Sequence, residues 1–337
     1  MYNKILEKLN NKNIAILGFG KEGKSTYNFI RRYSNQTLTI LDKNDILKNN
    51  EYLKEDKNLK IITGDTYLNN LEQYDLIIKA PGIALLDIDL KNIEDKLTSQ
   101  LELILEINKN NIIGITGTNG KTTTSYLIYQ SLNKLGLKCA MIGTLGYYKE
   151  QEERSLTNTR PDISTIYELI IDAYNSGYKY IVLEASSQGL KEERLYGVKF
   201  DYAIFTNLTH DHLDYHKNIE DYLNSKIKLF KALKPNGIGI VNIDDKYNKY
   251  FTPKNKITYG FNKSDYQISN FKNYEFNLNN QIIKNNLIGK HNAYNITATI
   301  IILDQLKIEK EKIINIIKEL KAPNGRMEVY DYKTNKI

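Results

Sequence analysis

One cysteine, Cys139, stands among 337 residues. An internal disulfide is therefore excluded, and a reducing, cytoplasmic setting is expected. No apolar run approaches the ~18 residues that cross a bilayer, so membrane insertion is not expected. The opening stretch MYNKILEKLNNKN lacks the apolar core and small-residue cleavage site of a signal peptide. A basic stripe is missing too. The net charge is +7, but the lysines are scattered among acidic residues and asparagines. Nucleic acid is thus not an expected partner, while an anionic small molecule stays open. No repeat of solenoid period is present.

What is there fits an ordinary globular chain, 41% hydrophobic and 26% charged. Its length leaves room for two domains. Short apolar strands at Ile14–Leu17, Leu38–Leu41 and Leu76–Lys79 surround a helical stretch, Gly23–Arg32, which predicts a parallel βαβ unit. After a predicted helix at Ser99–Ile107, a second and larger α/β unit opens with strand Ile112–Ile115. It continues through helix Thr123–Leu135, strands Tyr180–Leu183 and Tyr202–Phe205, helix Ile219–Leu233 and strand Gly239–Asn242. The polar, alternating stretch Lys254–Gly289 predicts a small antiparallel sheet, and Asn292–Leu306 returns to helix. The expected domains are 1–97, Rossmann-like, and 98–322, with 323–337 starting a linker.

Gly117-Thr118-Asn119-Gly120-Lys121-Thr122 follows a strand and opens a helix at Thr123. Such a turn aims backbone N–H groups and the helix dipole at phosphate oxygens. Lys121 would neutralise the terminal phosphates and the Thr122 hydroxyl would hold Mg²⁺. The spacing departs from the strict G-x₄-G-K-[ST] rule, because position 115 is Ile. Glu184 ends a strand where parallel sheets present ligand-binding groups, so it is a candidate metal ligand. Three of the four histidines fall in His210-Asp211-His212-Leu213-Asp214-Tyr215-His216. A zinc site is one reading. A magnesium–nucleotide site, with one histidine as ligand and the others structural, is preferred because no second cysteine or separated ligand segment accompanies the cluster. In the first unit, Gly18-Phe19-Gly20-Lys21-Glu22-Gly23 follows a strand and Asp42 closes the next, a dinucleotide fingerprint on chemistry alone.

Taken in order, ITGTNGKTTT (Ile115–Thr124), LEASSQGL (Leu183–Leu190), FTNLTHDHLDYH (Phe205–His216), SKIKLF (Ser225–Phe230), GKHNAYN (Gly289–Asn295) and GRMEV (Gly325–Val329) resemble the Mur ligase family over nearly the whole chain. The resemblance implies a ligase that uses ATP and Mg²⁺ to activate a carboxylate as an acyl phosphate. An amino acid's amine then attacks it. Lys121 and Thr122 would grip ATP and a first Mg²⁺, with Glu184 and His212 as further metal ligands. Lys226 matches the family's carbamylated lysine, and a carbamate would be an anionic oxygen ligand beside two metals. His291 and Asn292 match the adenine-reading segment, and Arg326 an arginine near the phosphates.

On the substrate side, Ser186 and Arg194 resemble residues that hold the muramoyl-peptide. Thr159-Arg160-Pro161-Asp162 resembles a Thr-Thr-Pro segment of the third-step enzyme, with Arg160 in place of the second Thr. The first unit, with LIIKAPGIAL (Leu76–Leu85), resembles instead the UDP-binding domain of the second-step enzyme. That moves the fingerprint from NAD to UDP, with Gly18, Phe19, Gly20, Asp42 and the turn Ala80-Pro81-Gly82 facing the uridine end. The expected partners are a UDP-N-acetylmuramoyl-peptide and an amino acid, and the expected state is a monomer. Third-step ligation is the leading expectation. The alternatives are second-step ligation by D-glutamate addition, a non-catalytic binding module, and a nicotinamide oxidoreductase resting on the glycine fingerprint. Family members continue past GRME into a third domain of about 100–150 residues, so a truncated fragment is a further expectation.

Overall fold

The computed structural model describes residues 2–80, 82, 83, 85, 88–100, 102, 103, 111–149, 152–154, 163–195, 197–209, 211, 215–325, 331, 332, 335 and 336. They form two compact units, Met1–Lys109 with Glu192–Val198, and Asn110–Lys191 with Lys199–Ile337. Nothing in composition sets Glu192–Val198 apart, and its membership of the first unit is visible only in the fold.

The first unit is built on five parallel strands, β1 (Ile14–Leu17), β2 (Leu38–Asp42), β3 (Leu59–Thr63), β4 (Leu76–Lys79) and β5 (Leu97–Thr98). Their order is β3-β2-β1-β4-β5. Strands β1, β2 and β4 are buried on both faces, so each reads as a largely apolar stretch, interrupted in β2 only by Thr39 before the closing Asp42 and ended in β4 by Lys79. The half-exposed β3 lacks that signature and escapes a reading by apolar runs. Helix Lys21–Tyr33 follows β1. Because β1 lies between β2 and β4, the connections diverge there, and a crevice opens beyond the carboxyl ends of β1 and β4. Of the predicted helix Ser99–Ile107, Gln100, Glu102 and Leu103 are helical, and residues 101 and 104–107 lie outside the described residues.

The second unit holds β6 (Asn111–Thr116), β7 (Cys139–Gly143), β8 (Gly146–Lys149), β9 (Glu152–Arg154), β10 (Tyr180–Glu184), β11 (Phe200–Phe205), β12 (Leu233–Asn242), β13 (Asn255–Gly260), β14 (Tyr266–Lys272), β15 (Glu275–Leu278) and β16 (Gln281–Lys284). Their order is β16-β15-β14-β13-β12-β11-β6-β10-β7-β8-β9. The middle of this sheet, β14 to β7, is parallel, and the pairings beyond it at both ends are antiparallel. The antiparallel sheet expected over Lys254–Gly289 is therefore not separate. Its first strand, β13, runs parallel to β12 with Ile240 beside Ile257 and extends the main sheet. Only β14–β16 form the expected meander.

Ile113, Ile115, Val182, Ile204 and Ile240 of this sheet pack with Leu127, Ile128, Ile296 and Leu303 of two helices, Lys121–Lys134 and Lys290–Gln305. Both helices are buried on most sides, so neither shows a clean polar face. Among the described residues no helix is long and apolar enough to cross a membrane.

Candidate active site

Strand β6 runs between β10 and β11, in a register that sets Glu184 beside Ile115 and Phe205 beside Thr116. Three strand ends thus meet at the Gly117–Gly120 loop. The continuation of β11 braces it. The N–H groups of Thr118 and Asn119 donate to the carbonyl and side-chain oxygens of Asn207, at 2.8 and 2.9 Å. The Thr206 hydroxyl donates to the Asn119 carbonyl at 2.6 Å. Those two amides are therefore spent on the protein. The first helical bond runs from Thr124 N–H to Gly120 O, so the amides of Lys121, Thr122 and Thr123 have no intrahelical acceptor. The amides without an intrahelical acceptor therefore sit on the helix start rather than along the whole loop.

Lys121 folds back over this loop, its Nζ donating to the carbonyls of Gly117 at 2.9 Å and Thr118 at 2.8 Å. Lys226 reaches the same place from helix Ile219–Lys231, with Nζ 2.8 Å from Gly117 O. It is only 1% exposed. Its ammonium also lies over the ring of Tyr222, 4.3 Å from the centroid. Burial, helped by the positive charge of Lys121, holds the Lys226 amine well below its ordinary pKa, against the pull of Asp211. Tyr222 was not anticipated from sequence, although its place four residues before Lys226 puts both on one helix face. It is fully buried, and its hydroxyl meets that of Thr118 at 3.0 Å.

Glu184 completes the cluster. Its Oε2 accepts from Thr122 Oγ1 at 3.2 Å and from Thr144 Oγ1 at 2.9 Å. Its Oε1 is buried with no hydrogen-bond partner. Burial raises the carboxyl's pKa, while Thr144, Lys121 and Thr122 oppose the shift. The room for this side chain comes from Gly143, where a Cβ would lie 2.4 Å from Oε1. Hydroxyl and carboxylate oxygens, one of them orphaned, form the donor set a hard divalent cation prefers.

The predicted ligand His212 lies outside the described residues, as do Thr159, Pro81 and Arg326. His216 is buried, with Nε2 3.0 Å from Ser187 Oγ and Nδ1 3.4 Å from Asp221. Burial holds its pKa below the ordinary histidine value. That is the structural role expected of it. Ser186 caps the following helix, its Oγ accepting from Gly189 N–H at 3.1 Å.

A cleft of about 560 Å³ opens beside the loop, lined in part by Asn119, Gly120, Thr123, Asp244, His291 and Asn292. His291 is exposed there. Asn292 is buried and structural as well as cleft-lining. Its Nδ2 donates to Ile288 O at 2.8 Å and its Oδ1 accepts from Asn295 Nδ2 at 2.9 Å. Asn295 in turn accepts from Thr124 Oγ1 at 3.1 Å. An asparagine chain thus ties the predicted base-reading segment to the phosphate-loop helix. Asp244 was not foreseen. Its carboxylate accepts from Phe261 N–H, Asn262 N–H and Tyr294 OH, which lowers its pKa despite burial.

In the first unit, Asp42 binds the glycine turn itself. Its oxygens accept from Phe19 N–H at 2.7 Å and Asn44 N–H at 2.8 Å, each keeping one further lone pair. Gly18 N–H donates to Leu41 O and Ala80 N–H to Leu17 O, both at 2.8 Å. These bonds bring Gly18, Phe19, Asp42 and Ala80 together at the crevice, with Gly20 at the start of the helix and Gly82 just past Ala80. Arg194 belongs to this unit and pairs with Glu192, whereas Ser186 belongs to the other.

A strand–glycine loop–helix with lysine and a buried carboxylate at its mouth defines a nucleotide-binding α/β domain, here joined to a Rossmann-like one. The chain belongs to the Mur ligase family, because residues 115–303 match the Mur ligase middle domain. Residues 12–100 match the Mur ligase MurD-like N-terminal domain. Among curated proteins, it is 37% identical over 236 residues to UDP-N-acetylmuramoyl-L-alanyl-D-glutamate–2,6-diaminopimelate ligase 1 of Clostridium acetobutylicum, covering 66% of this chain and 48% of that one. The corresponding ligase of Aquifex aeolicus is 40% identical over 237 residues, covering 65% and 47%. The chain spans about half the length of these relatives. A solved structure of such a diaminopimelate ligase superposes with a TM-score of 0.65 at 23% identity, over 90% of this chain and 64% of that one, and bears on the fold alone.

Proposed function

We propose that this chain serves ATP-dependent amide formation on a UDP-N-acetylmuramoyl-peptide, as the third-step ligase acting on UDP-MurNAc-L-Ala-D-Glu. The observation that carries it is the convergence of Lys121, Thr122, Glu184 and Lys226 on the Gly117–Gly120 loop. Relatives named as diaminopimelate ligases over the central region support the third step. A second reading, D-glutamate addition, is supported by the MurD-like match of the first unit.

In this reading the helix-start amides and Lys121 receive the phosphates of ATP, and the cleft at His291 and Asn292 receives the base. Thr122 and Glu184 hold Mg²⁺, with His212 and Arg326 as further proposed contacts. Bound there, Mg²⁺ supplies positive charge to the transferring phosphoryl group. The substrate carboxylate attacks the terminal phosphorus and ADP leaves. The incoming amine then attacks the acyl carbon and phosphate leaves. Lys226, whose charged form is disfavoured by burial, would give up its ammonium proton, and its amine nitrogen would add to CO₂ and release a second proton, leaving a carbamate able to serve as an anionic oxygen ligand. Gly18, Phe19, Gly20, Asp42 and the Ala80-Pro81-Gly82 turn face the UDP end, and Thr159, Ser186 and Arg194 the peptide end. The lone buried Cys139 accords with a reducing, cytoplasmic setting.

Isothermal titration tests this directly. ATP should bind only with Mg²⁺, and UDP-MurNAc-L-Ala-D-Glu should bind more tightly than UDP-MurNAc-L-Ala. Magnesium-independent ATP binding would overturn the site. The reverse order of substrate affinities would favour the second-step reading.

A further inference from the structure

Lys79 ends β4 at the lip of the first unit's crevice and is not explained by the uridine-facing turn that follows it. A lysine there is unusual for its burial, since the residue is 4% exposed. Such an ammonium is retained only where oxygens surround it. Its Nζ lies 3.2 Å from Glu193 Oε2 and 3.5 Å from the carbonyl of Ala80. Glu193 is distant in sequence and sits in Glu192–Val198, the segment by which the chain returns to this unit. The carboxylate is held in an awkward place. Glu193 has φ of +56°, the left-handed region that a residue with a side chain enters at a cost. Something must over-determine that conformation, and the ion pair with the buried Lys79 supplies part of it.

The same segment is seated a second time further along. Gly197, at φ +82°, approaches Ser99 and Glu102 so closely that a Cβ would lie 2.5 Å from Ser99 Oγ. Val198 N–H closes the turn on Leu195 O at 3.1 Å. Between these two seats lies Arg194, whose guanidinium pairs with Glu192. The arginine is thus carried on a short strap pinned at both ends to the first unit's own framework.

We propose that Lys79 and Glu193 are positioning residues: their ion pair, with the lysine buried and the glutamate half-exposed, sets the Glu192–Val198 strap so that Arg194 is presented to the carboxylate-bearing peptide end of the UDP-muramoyl substrate. This rests on the functional reading above for the substrate, but not for the strap. Lys79 itself touches no substrate in this account. Its Nζ also lies 3.5 Å from the Ala80 carbonyl, beside the turn at the uridine end, but that turn is held by its own backbone bond to Leu17 and does not depend on Glu193.

The test uses the full chain with Lys79→Met, Lys79→Arg, Glu193→Gln and Arg194→Ala, and the charge-reversed pair Lys79→Glu with Glu193→Lys. Hydrogen–deuterium exchange of residues 192–198 is read first, because it needs no ligand. Lys79→Met and Glu193→Gln should raise exchange in that segment at least tenfold while leaving β1 and β2 unchanged. Lys79→Arg should restore protection. Titration then compares UDP with UDP-MurNAc-L-Ala-D-Glu. Glu193→Gln and Arg194→Ala should each weaken the muramoyl-dipeptide about tenfold and UDP by less than twofold, and combining them should add little further loss. Unchanged exchange in Lys79→Met and Glu193→Gln would overturn the strap. Increased exchange with unchanged dipeptide affinity would overturn the positioning role. Wild-type protein that binds UDP but not the muramoyl-dipeptide would sink the functional reading together with the role of Arg194, while the exchange result still decides the strap.

Discussion

Lys121 and Lys226 donate to one acceptor, the carbonyl oxygen of Gly117, at 2.9 and 2.8 Å. Two cations on one oxygen repel, and one of the two is almost fully buried. Burial and the charge of Lys121 therefore favour the neutral amine more than in an exposed lysine, and the neutral amine is the form that reacts with CO₂. The depressed pKa thus joins a structural cost to a proposed chemical use.

Lys226→Met should stabilise the ligand-free protein by about 1 kcal/mol, the usual gain when a functional site loses a strained polar group. In the wild type the folded pKa lies below the unfolded value, so stability rises with pH from that lowered value up to about 10.4. The variant should lose that rise. Urea unfolding between pH 7 and 10 measures both effects. Carbon-13 NMR with labelled bicarbonate should show a carbamate signal in the wild type that the variant lacks.

Glu184 behaves in the opposite sense, because its folded pKa is raised. Its contribution falls as pH climbs from about 4.3 through the raised value. Glu184→Gln keeps an oxygen for Thr122 and Thr144 and removes the buried charge. It should raise ligand-free stability at pH 7 by about 1 kcal/mol and abolish any magnesium-dependent thermal shift with ATP. A variant that keeps the shift would remove Glu184 from the metal site.

Gly120 stands at φ +82°, and a Cβ there would lie 2.7 Å from Asn295 Oδ1. Gly120→Ala should cost about 1–2 kcal/mol from the left-handed backbone alone. It should also weaken ATP roughly tenfold, about 1.4 kcal/mol, by pushing the asparagine chain off the helix start. Chemical denaturation and titration with ATP separate the two losses.

His216, buried among Ser187, Tyr222 and Asp221, has its pKa lowered by that burial. Its neutral form therefore supports the fold above about pH 6.5, and that support is lost as pH falls toward the lowered folded value. Urea midpoints from pH 8 to 5 should decline by at most about 1.4 kcal/mol per pH unit from this group. The decline should flatten in His216→Gln.

Much of this was legible in residues alone. The largely apolar stretches of β1, β2, β4 and β6 announce strands buried on both faces, and Gly117–Thr122 after β6 announces a strand–glycine loop–helix turn, because local geometry needs those residue types in that order. Strand β3 and the parallel placement of β13 were not legible, since half-exposed, polar strands carry no pattern that separates one sheet edge from another. Tyr222 and Asp244 were missed because a buried tyrosine and a turn aspartate are ordinary until their partners are known.

Local chemistry, by itself, determined that there is a strand–glycine loop–helix with a lysine, an acidic strand end and a glycine turn closed by Asp42. Tertiary structure alone decided that Lys226 is buried against Gly117 O, that Glu184 has an orphan oxygen, and that Glu192–Val198 returns to the first unit. The reason is that burial and charge proximity are sums over residues far apart in the chain. No run of neighbouring letters turns the sequence separation of 109 between Gly117 and Lys226, or of 114 between Lys79 and Glu193, into a distance in space.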